Sequence, residues 1–178
     1  RHPDKRTFAT GEIGKTPKVV VWDSDSMKAL AVLVGFHKRA VLALCFSPCG
    51  EYLATVGADN EHSVAIFEWK TETLLATYKG DREKILDINW SPFDGTLVTT
   101  GVKHIKFVDN AWTSGKPIVK GARFKPKKAV LGAKGKWQNF YSVAFTGGNV
   151  SVIGTRGGQL YVFKGSTLSS VVQKAHVG

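Results

Sequence analysis

Short apolar segments alternate with polar turns along most of the chain. Each repeated unit contains an apolar segment that ends in an aromatic residue, a turn similar to Ser-Pro-x-Gly, a segment that ends in small residues and Gly, and a third apolar segment. The apolar residues are mostly β-branched or aromatic, and Gly, Pro, Asp and Asn bound them, which is typical of β-strands. A helical repeat would need apolar residues three and four positions apart. The units comprise residues 40–46, 51–57 and 63–69; 85–90, 96–101 and 104–109; and 140–145, 149–154 and 159–164.

The spacing of the units indicates which repeat this is. Aligned aromatic residues close the third strand of each unit and lie 45, 40 and 56 residues apart. A WD40 blade of four short strands takes about 40–45 residues, so two intervals fit and the third contains an insertion. We expect six residues to be structural positions of this repeat, including one literal Trp-Asp pair: Trp22, Asp23, Phe67, Phe107, Phe163 and His176.

Further segments complete the predicted blades. Outer strands are predicted at 30–34, 74–78 and 168–172, a strand at 7–11 precedes 18–23, and residues 174–178 resemble the start of another blade. We therefore predict an all-β, WD40-type β-propeller that is incomplete, with about three whole blades and partial blades at both ends. Residues 1–178 are expected to form part of one propeller. Because propellers close with about 4–8 blades and an open arc exposes strand edges, we expect a longer parent chain.

Positive charge is concentrated toward the carboxyl end. Residues 1–109 hold 14 Lys or Arg and 14 Asp or Glu, whereas residues 110–178 hold 11 Lys or Arg and no Asp or Glu. The formal net charge of +11 therefore arises entirely after residue 109. Eight of the cations lie in a predicted basic inter-blade insertion, residues 110–138: Lys116, Lys120, Arg123, Lys125, Lys127, Lys128, Lys134 and Lys136.

Two interpretations of this insertion stay open. Its Pro and Gly residues argue against one continuous helix, so it is either a solvated, mobile loop or a surface that binds a polyanion, such as an acidic protein, nucleic acid or anionic lipid. Solubility alone is usually met by charges of mixed sign, which favours a binding role. Trp112 and Trp137 flank the insertion. We include both with the eight cations as partner-binding candidates, although anchoring of the insertion on the propeller is their favoured role over contact with a partner alongside Arg123.

The sequence contains no motif for catalysis or cofactor binding. No serine lies in a Gly-x-Ser-x-Gly pattern, and no Gly-rich turn carries the Lys-Ser/Thr of a phosphate-binding loop. Cys45 and Cys49 have no further Cys or His at zinc-ligand spacing, and we expect them to be reduced thiols. We predict that the chain is not an enzyme and has no cofactor and no metal. A run of 18 apolar residues is also lacking, so no membrane-spanning segment is expected. We predict no membrane partner.

Several strings in the sequence are more specific than the general WD40 pattern. They are His-Pro-Asp-Lys at 2–5, Phe-Ala-Thr-Gly-Glu at 8–12, Val-Val-Val-Trp-Asp-Ser at 19–24, and the stretches 33–41, 101–107 and 174–176. In these strings the chain resembles the first propeller of the echinoderm microtubule-associated protein-like (EMAP-like) family over nearly its whole length. Val108 and the lack of Asp in the turn at Gly157-Gly158 depart from the family pattern.

The resemblance implies a function as well as a fold. Members of the family associate with microtubules or tubulin and carry a tandem pair of atypical propellers, but the resemblance supplies no set of contact residues. We therefore predict a non-catalytic WD40 binding platform of a microtubule-associated protein, located in the cytoplasm and cytoskeleton and in a cilium or flagellum where one is present. Its partner would be tubulin, microtubules or another acidic axonemal, ciliary or cytoskeletal protein. The alternative is a WD40 scaffold that binds RNA or ribonucleoprotein through the same basic insertion.

Overall fold

Antiparallel β-sheets follow one another along the chain in the computed structural model, which describes residues 1–175. Short 3-10 helices form at Trp69–Thr71 and Gly132–Lys134. The strands are β1 (Thr7–Gly11), β2 (Ile13–Gly14), β3 (Val19–Asp23), β4 (Ala29–Leu33), β5 (Arg39–Phe46), β6 (Tyr52–Gly57), β7 (Val64–Glu68), β8 (Thr73–Tyr78), β9 (Ile85–Trp90), β10 (Leu97–Gly101), β11 (His104–Val108), β12 (Lys127–Lys128), β13 (Phe140–Gly147), β14 (Val150–Thr155), β15 (Leu160–Lys164) and β16 (Thr167–Val172).

Each sheet is built mainly from consecutive strands. The strand orders are β1-β3-β4, β2-β5-β6-β7-β8, β12-β11-β10-β9 and β13-β14-β15-β16. The Ser-Pro turns reverse the chain in the same way in the second and third sheets. The N–H of Ser47 donates to the carbonyl of Tyr52 at 2.9 Å, and the N–H of Ser91 donates to the carbonyl of Thr96 at 2.8 Å. These two equivalent turns place β6 and β10 in structural correspondence.

Apolar clusters lie between each sheet and the next. Because side chains alternate between the two faces of a strand, the second and third sheets bury residues on both faces. All residues of β6 and all residues of β10 are buried. Cluster members from the two sides of the three interfaces include Val21 and Leu53, Ile66 and Ile88, and Phe107 and Phe163. Full burial of such a side chain contributes about 1.5–3 kcal/mol, so these interfaces hold the sheets together as propeller blades.

The predicted incomplete, all-β propeller is confirmed. The second, third and fourth sheets each contain the four strands of a blade, and the first contains three strands. Every strand predicted from the repeat forms, with boundaries that differ by no more than two residues. The predicted start of a further blade at 174–178 lies partly outside the described residues, and His176 lies entirely outside them.

The strand register corrects one position of the aligned repeat. Phe67 pairs with Leu53 on β6. The corresponding residue of β10 is Leu97, and its partner is Val108. Phe107 therefore lies one residue before the repeat position and faces the fourth blade instead of the second. A shift of one residue moves a side chain to the opposite face of a strand, so the alignment of Phe107 by its aromatic character was wrong.

The outer strand of the third blade lies inside the predicted insertion. β12 pairs with β11 through Lys128 opposite Lys106 and Lys127 opposite Phe107. The sequence pattern did not predict this strand because it is two residues long and consists of lysines, which are depleted in strands. The basic stretch thus contributes one blade strand and two connecting segments, residues 109–126 and 129–139.

The Trp-Asp pair of the first blade has two different environments. Asp23 is buried and accepts hydrogen bonds from Arg6 Nε at 2.6 Å and from Ser26 Oγ at 2.7 Å. The hydrogen bond from Arg6 is the main reason why the pKa of Asp23 lies well below its usual range. Trp22 lies on the other face of β3, is half-buried, and stacks with its ring centroid 6.4 Å from that of Phe8. Both residues have structural contacts within the first blade.

Gly101→Ala is expected to destabilise the protein by about 1–3 kcal/mol through overpacking. Gly101 ends β10 where its register with β9 shifts, and an added Cβ would lie 2.1 Å from the backbone oxygen of Lys84. Urea unfolding followed by tryptophan fluorescence measures the change. Gly14→Ala is the matched control, because nothing lies within 4 Å of its added Cβ. An equal free energy of unfolding for the two variants would contradict the close approach at Gly101.

Candidate partner-binding surface

The first connecting segment, residues 109–126, crosses from the third blade onto the outer edge of the second. Ile118 is buried, and its N–H donates to the hydroxyl of Tyr52 at 3.1 Å. The N–H of Gly121 donates to the carbonyl of Leu75 on β8 at 2.7 Å. Because β8 is the outer strand of its blade, the segment covers part of a sheet edge that would otherwise have unpaired backbone groups.

The second connecting segment, residues 129–139, attaches the third blade to the fourth. The N–H of Val130 donates to the carbonyl of Ser166, and the N–H of Leu168 donates to the carbonyl of Val130, both at 2.8 Å. Leu131 is buried in the apolar cluster between these blades. The basic insertion is therefore held to three blades, which disfavours its interpretation as a freely mobile loop.

The two tryptophans that flank the insertion make contacts typical of anchors. Trp112 is half-buried against the cluster between the second and third blades, and its backbone N–H donates to the carbonyl of Gly95 at 3.1 Å. Trp137 keeps 38% of its surface exposed. Its ring meets that of Phe140 edge-on at 6.1 Å, and the ammonium of Lys128 lies 4.5 Å from its centroid. These contacts support the favoured anchoring role for both residues.

The eight cations of the insertion are all exposed. Three of them have partners within the chain. Lys127 pairs with Asp109 at 2.6 Å, Lys128 lies over Trp137, and Lys134 donates to the carbonyl of Ser169 at 2.8 Å. Within residues 1–175 the side chains of the other five make no ion pair or hydrogen bond. They are Lys116, Lys120, Arg123, Lys125 and Lys136.

Part of the insertion presents its cations in a regular row. Ala122 and Phe124 pack against the cluster between the second and third blades, whereas Arg123, Lys125 and Lys127 are exposed. This alternation of half-buried and exposed residues is that of an extended chain, in which every second side chain points to the same side. The three cationic residues, which we call the cation row, therefore share the outer side of the segment.

The described residues offer little for other kinds of site. Residues 1–175 contain no cluster of three or more His, Cys, Asp or Glu side chains able to hold a metal ion. Cys45 is half-buried and Cys49 is exposed, and both are free thiols. Among the described residues, no helix has the length and apolar character needed to cross a bilayer.

Two buried histidines belong to hydrogen-bond networks inside the blades. His37 Nε2 lies 2.7 Å from Thr55 Oγ1, and burial lowers the pKa of His37 to about 4. In the third blade, His104 Nδ1 donates to a carboxylate oxygen of Asp81 at 3.0 Å, and its Nε2 lies 2.8 Å from Thr99 Oγ1. Burial lowers the pKa of His104 to about 4 as well, although Asp81 opposes this shift. Both rings are neutral at physiological pH.

The sequence pattern did not indicate these networks. Among the histidines, only His176 was expected at a structural position of the repeat. The available signal was positional, because Thr55 and Thr99 both lie two residues before the glycine that ends their strand. Because buried hydroxyls are hydrogen-bonded as a rule, these two threonines indicate a hydrogen-bonding partner in the second and third blades.

The successive antiparallel sheets define a WD40-type β-propeller. The solved β-propeller domain of Cps50 (Swd1) from Myceliophteria thermophila has the same fold, with a TM-score of 0.69 over 92% of this chain and 50% of that chain. The sequence identity is 17%, so this likeness concerns the fold alone. The family model for the echinoderm microtubule-associated protein first beta-propeller matches residues 1–178. The chain belongs to the echinoderm microtubule-associated protein family, which confirms the resemblance found in the sequence.

Curated relatives carry the same family name. The 77 kDa echinoderm microtubule-associated protein of Strongylocentrotus purpuratus is 36% identical over 99% of this chain and 26% of the relative. The corresponding protein of Lytechinus variegatus is 34% identical over 99% and 27%. The human echinoderm microtubule-associated protein-like 2 is 32% identical over 99% and 28%. The chain thus spans about a quarter of the length of these relatives.

Acidification is expected to destabilise the protein as the pH falls from about 6.5 to about 4. In this window the unfolded chain protonates His37 and His104, because an unperturbed histidine has a pKa of about 6.5, while the folded protein keeps both neutral. The unfolded state then binds more protons, so the free energy of unfolding falls with decreasing pH, by up to about 1.4 kcal/mol per pH unit for each histidine. Urea unfolding at several pH values measures this slope.

A histidine variant separates this effect from the titration of carboxylates. His37→Gln keeps a side-chain N–H that can donate to Thr55 but does not titrate, so the slope between pH 6.5 and 4 should become shallower. Although burial opposes it, hydrogen bonds from Lys106 and the backbone of Glu83 hold the pKa of Asp81 well below its usual range. The stability contributed by Asp81 is therefore lost only below about pH 4. An unchanged slope in His37→Gln would contradict the role assigned to His37.

Proposed function

We propose that this chain is a non-catalytic WD40 binding platform that docks on tubulin or microtubules through its basic insertion. The observation that carries the proposal is the set of eight exposed cations, held by contacts to three blades, with no Asp or Glu after residue 109. The names of the relatives support a microtubule partner. The protein would then act in the cytoplasm on the cytoskeleton, including axonemal or ciliary microtubules in cells that have them.

Charge complementarity supplies the physical basis for docking. Tubulin surfaces and tails are strongly acidic, and a basic surface attracts such a partner over roughly a Debye length of 8 Å at physiological salt. Five of the eight cations have no partner within residues 1–175, so an acidic surface can bind them without breaking an internal contact. His37 and His104 are the histidines whose pKa values are shifted, and both are buried and hydrogen-bonded. This supports structural roles for them, and not proton transfer to a substrate.

Neutralising four unpaired cations should weaken microtubule binding by about fourfold or more, since each exposed ion pair contributes about 0.2–1 kcal/mol. The variant replaces Lys116, Lys120, Arg123 and Lys125 with Gln and leaves the anchoring contacts of Lys127, Lys128 and Lys134 intact. Co-pelleting with microtubules at several salt concentrations measures the affinity. The matched control makes the same change in charge at exposed lysines outside the insertion: Lys15, Lys28, Lys38 and Lys84.

The two variants separate local docking from the effect of net charge. An equal loss of affinity in both would show that only the total charge matters and would refute docking through the insertion. Competition with RNA and with polyglutamate tests the alternative function. If RNA displaced the protein from microtubules at a much lower charge concentration than polyglutamate did, binding to phosphates would explain the cations better.

A further inference from the structure

An open groove lies where the β11–β12 pair ends. Beyond the last paired residues, Phe107 and Lys127, the two chain segments diverge. Residues 108–110 line one side of the groove, and Arg123, Phe124, Lys125 and Lys127 line the other. Its volume is about 420 Å³, and it is open to solvent. Side chains of another chain can therefore enter it from outside.

The lining of the groove suits an extended ligand of negative charge. The residues of the cation row repeat every second position, which places neighbouring charges about 6.6 Å apart along an extended segment. A peptide in the extended conformation repeats its own side chains with the same period. An acidic residue at every second position would therefore meet Arg123 and Lys125 in register, and polar residues between them would face solvent.

Backbone groups at the groove are available for pairing as well. Within residues 1–175, the N–H groups of Arg123 and Lys125 donate no hydrogen bond. An extended peptide that aligns with this segment can accept these hydrogen bonds through its carbonyl groups, as in the addition of a strand to a sheet edge. The backbone then provides affinity, and the cation row selects acidic side chains.

One carboxylate at the groove opposes an acidic ligand. Asp109 lines the groove and binds Lys127 at 2.6 Å, so it both repels an incoming carboxylate and occupies one cation of the row. The charged groups that line the groove are therefore Asp109 and the three cations. Asp109 therefore weakens the binding of an acidic ligand at this groove, although the protein as a whole is positively charged.

We propose that this groove is a docking site for an extended acidic peptide with Asp or Glu at alternate positions. The proposal rests on the proposed function, because it takes the partner to be acidic and assigns its binding to one groove. It adds the conformation of the bound segment and the two residues, Arg123 and Lys125, that contact its carboxylates.

The test uses two fluorescein-labelled peptides with the same composition, one with alternating Glu and Thr and one with all Glu residues before all Thr residues. Fluorescence anisotropy measures their affinities. Arg123→Gln/Lys125→Gln should weaken binding of the alternating peptide by about five- to tenfold, as expected for two exposed ion pairs. The matched control, Lys28→Gln/Lys38→Gln, removes the same charge at exposed residues outside the insertion and should change this affinity by less than about twofold.

A second pair of variants tests whether Asp109 weakens the binding of an acidic peptide. Asp109→Asn should tighten binding of the alternating peptide by about two- to fivefold, because it removes a repulsive charge and frees Lys127. Glu51→Gln changes the net charge equally at an exposed residue that does not line the groove, and it should have a smaller effect. Equal effects within each pair of variants, or equal affinities for the two peptides, would overturn the proposal.

Microtubule co-pelleting of the same variants distinguishes this groove from the proposed function. Peptide binding that depends on Arg123 and Lys125, together with microtubule binding that does not depend on the insertion, would leave the groove standing and refute docking on microtubules. Loss of microtubule binding in the four-cation variant, together with peptide binding that is insensitive to Arg123 and Lys125, would refute the groove and leave the proposed function standing.

Discussion

Apolar packing between neighbouring sheets is the interaction on which the rest of the structure depends. The second and third blades bury both faces of their middle strands, so strand register decides which residues meet which neighbour. Val108 is equivalent to Phe67 although one is aliphatic and the other aromatic. Phe107 instead faces the fourth blade, where its ring centroid lies 5.5 Å from that of Phe163. Equivalent positions of the repeat are therefore buried on the same face of each blade. The side chain that fits at such a position depends on the neighbouring blade.

An unpaired buried polar group costs roughly 1–3 kcal/mol, and although Thr100 Oγ1 and His37 Nδ1 have no hydrogen-bond partner, one buried threonine in each of two blades is hydrogen-bonded to a histidine. The second and third blades make this contact with different residues. His37 precedes β5 and reaches Thr55 in one blade, whereas His104 lies on β11 and joins Thr99 to Asp81 in the other. The buried threonine is common to both. The histidine that bonds to it comes from a different segment in each blade.

The sequence predicts the strands well because an alternating, β-branched pattern between Gly and Pro turns leaves few alternatives. The sequence also locates the cations, because Lys, Arg, Asp and Glu can be counted without knowledge of the structure. The cation row could not be predicted, because it depends on Ala122 and Phe124 packing against the apolar cluster between the second and third blades. β12 was missed for a similar reason, since Lys127 and Lys128 join a sheet through the edge that β11 offers, and not through their own propensity.

One segment of this propeller provides both contacts between blades and exposed positive charge. The basic insertion contributes the outer strand of the third blade, covers the edge of β8 at Leu75 and pairs with β16 at Leu168. Its deletion would therefore remove cations and interblade contacts together, and lost binding could not be assigned to either. The anchors and the unpaired cations are separate side chains, however, because Ile118 and Leu131 point inward while Arg123 and Lys125 point outward. Selection on binding can thus change the outward residues while the packing that orders the segment stays intact.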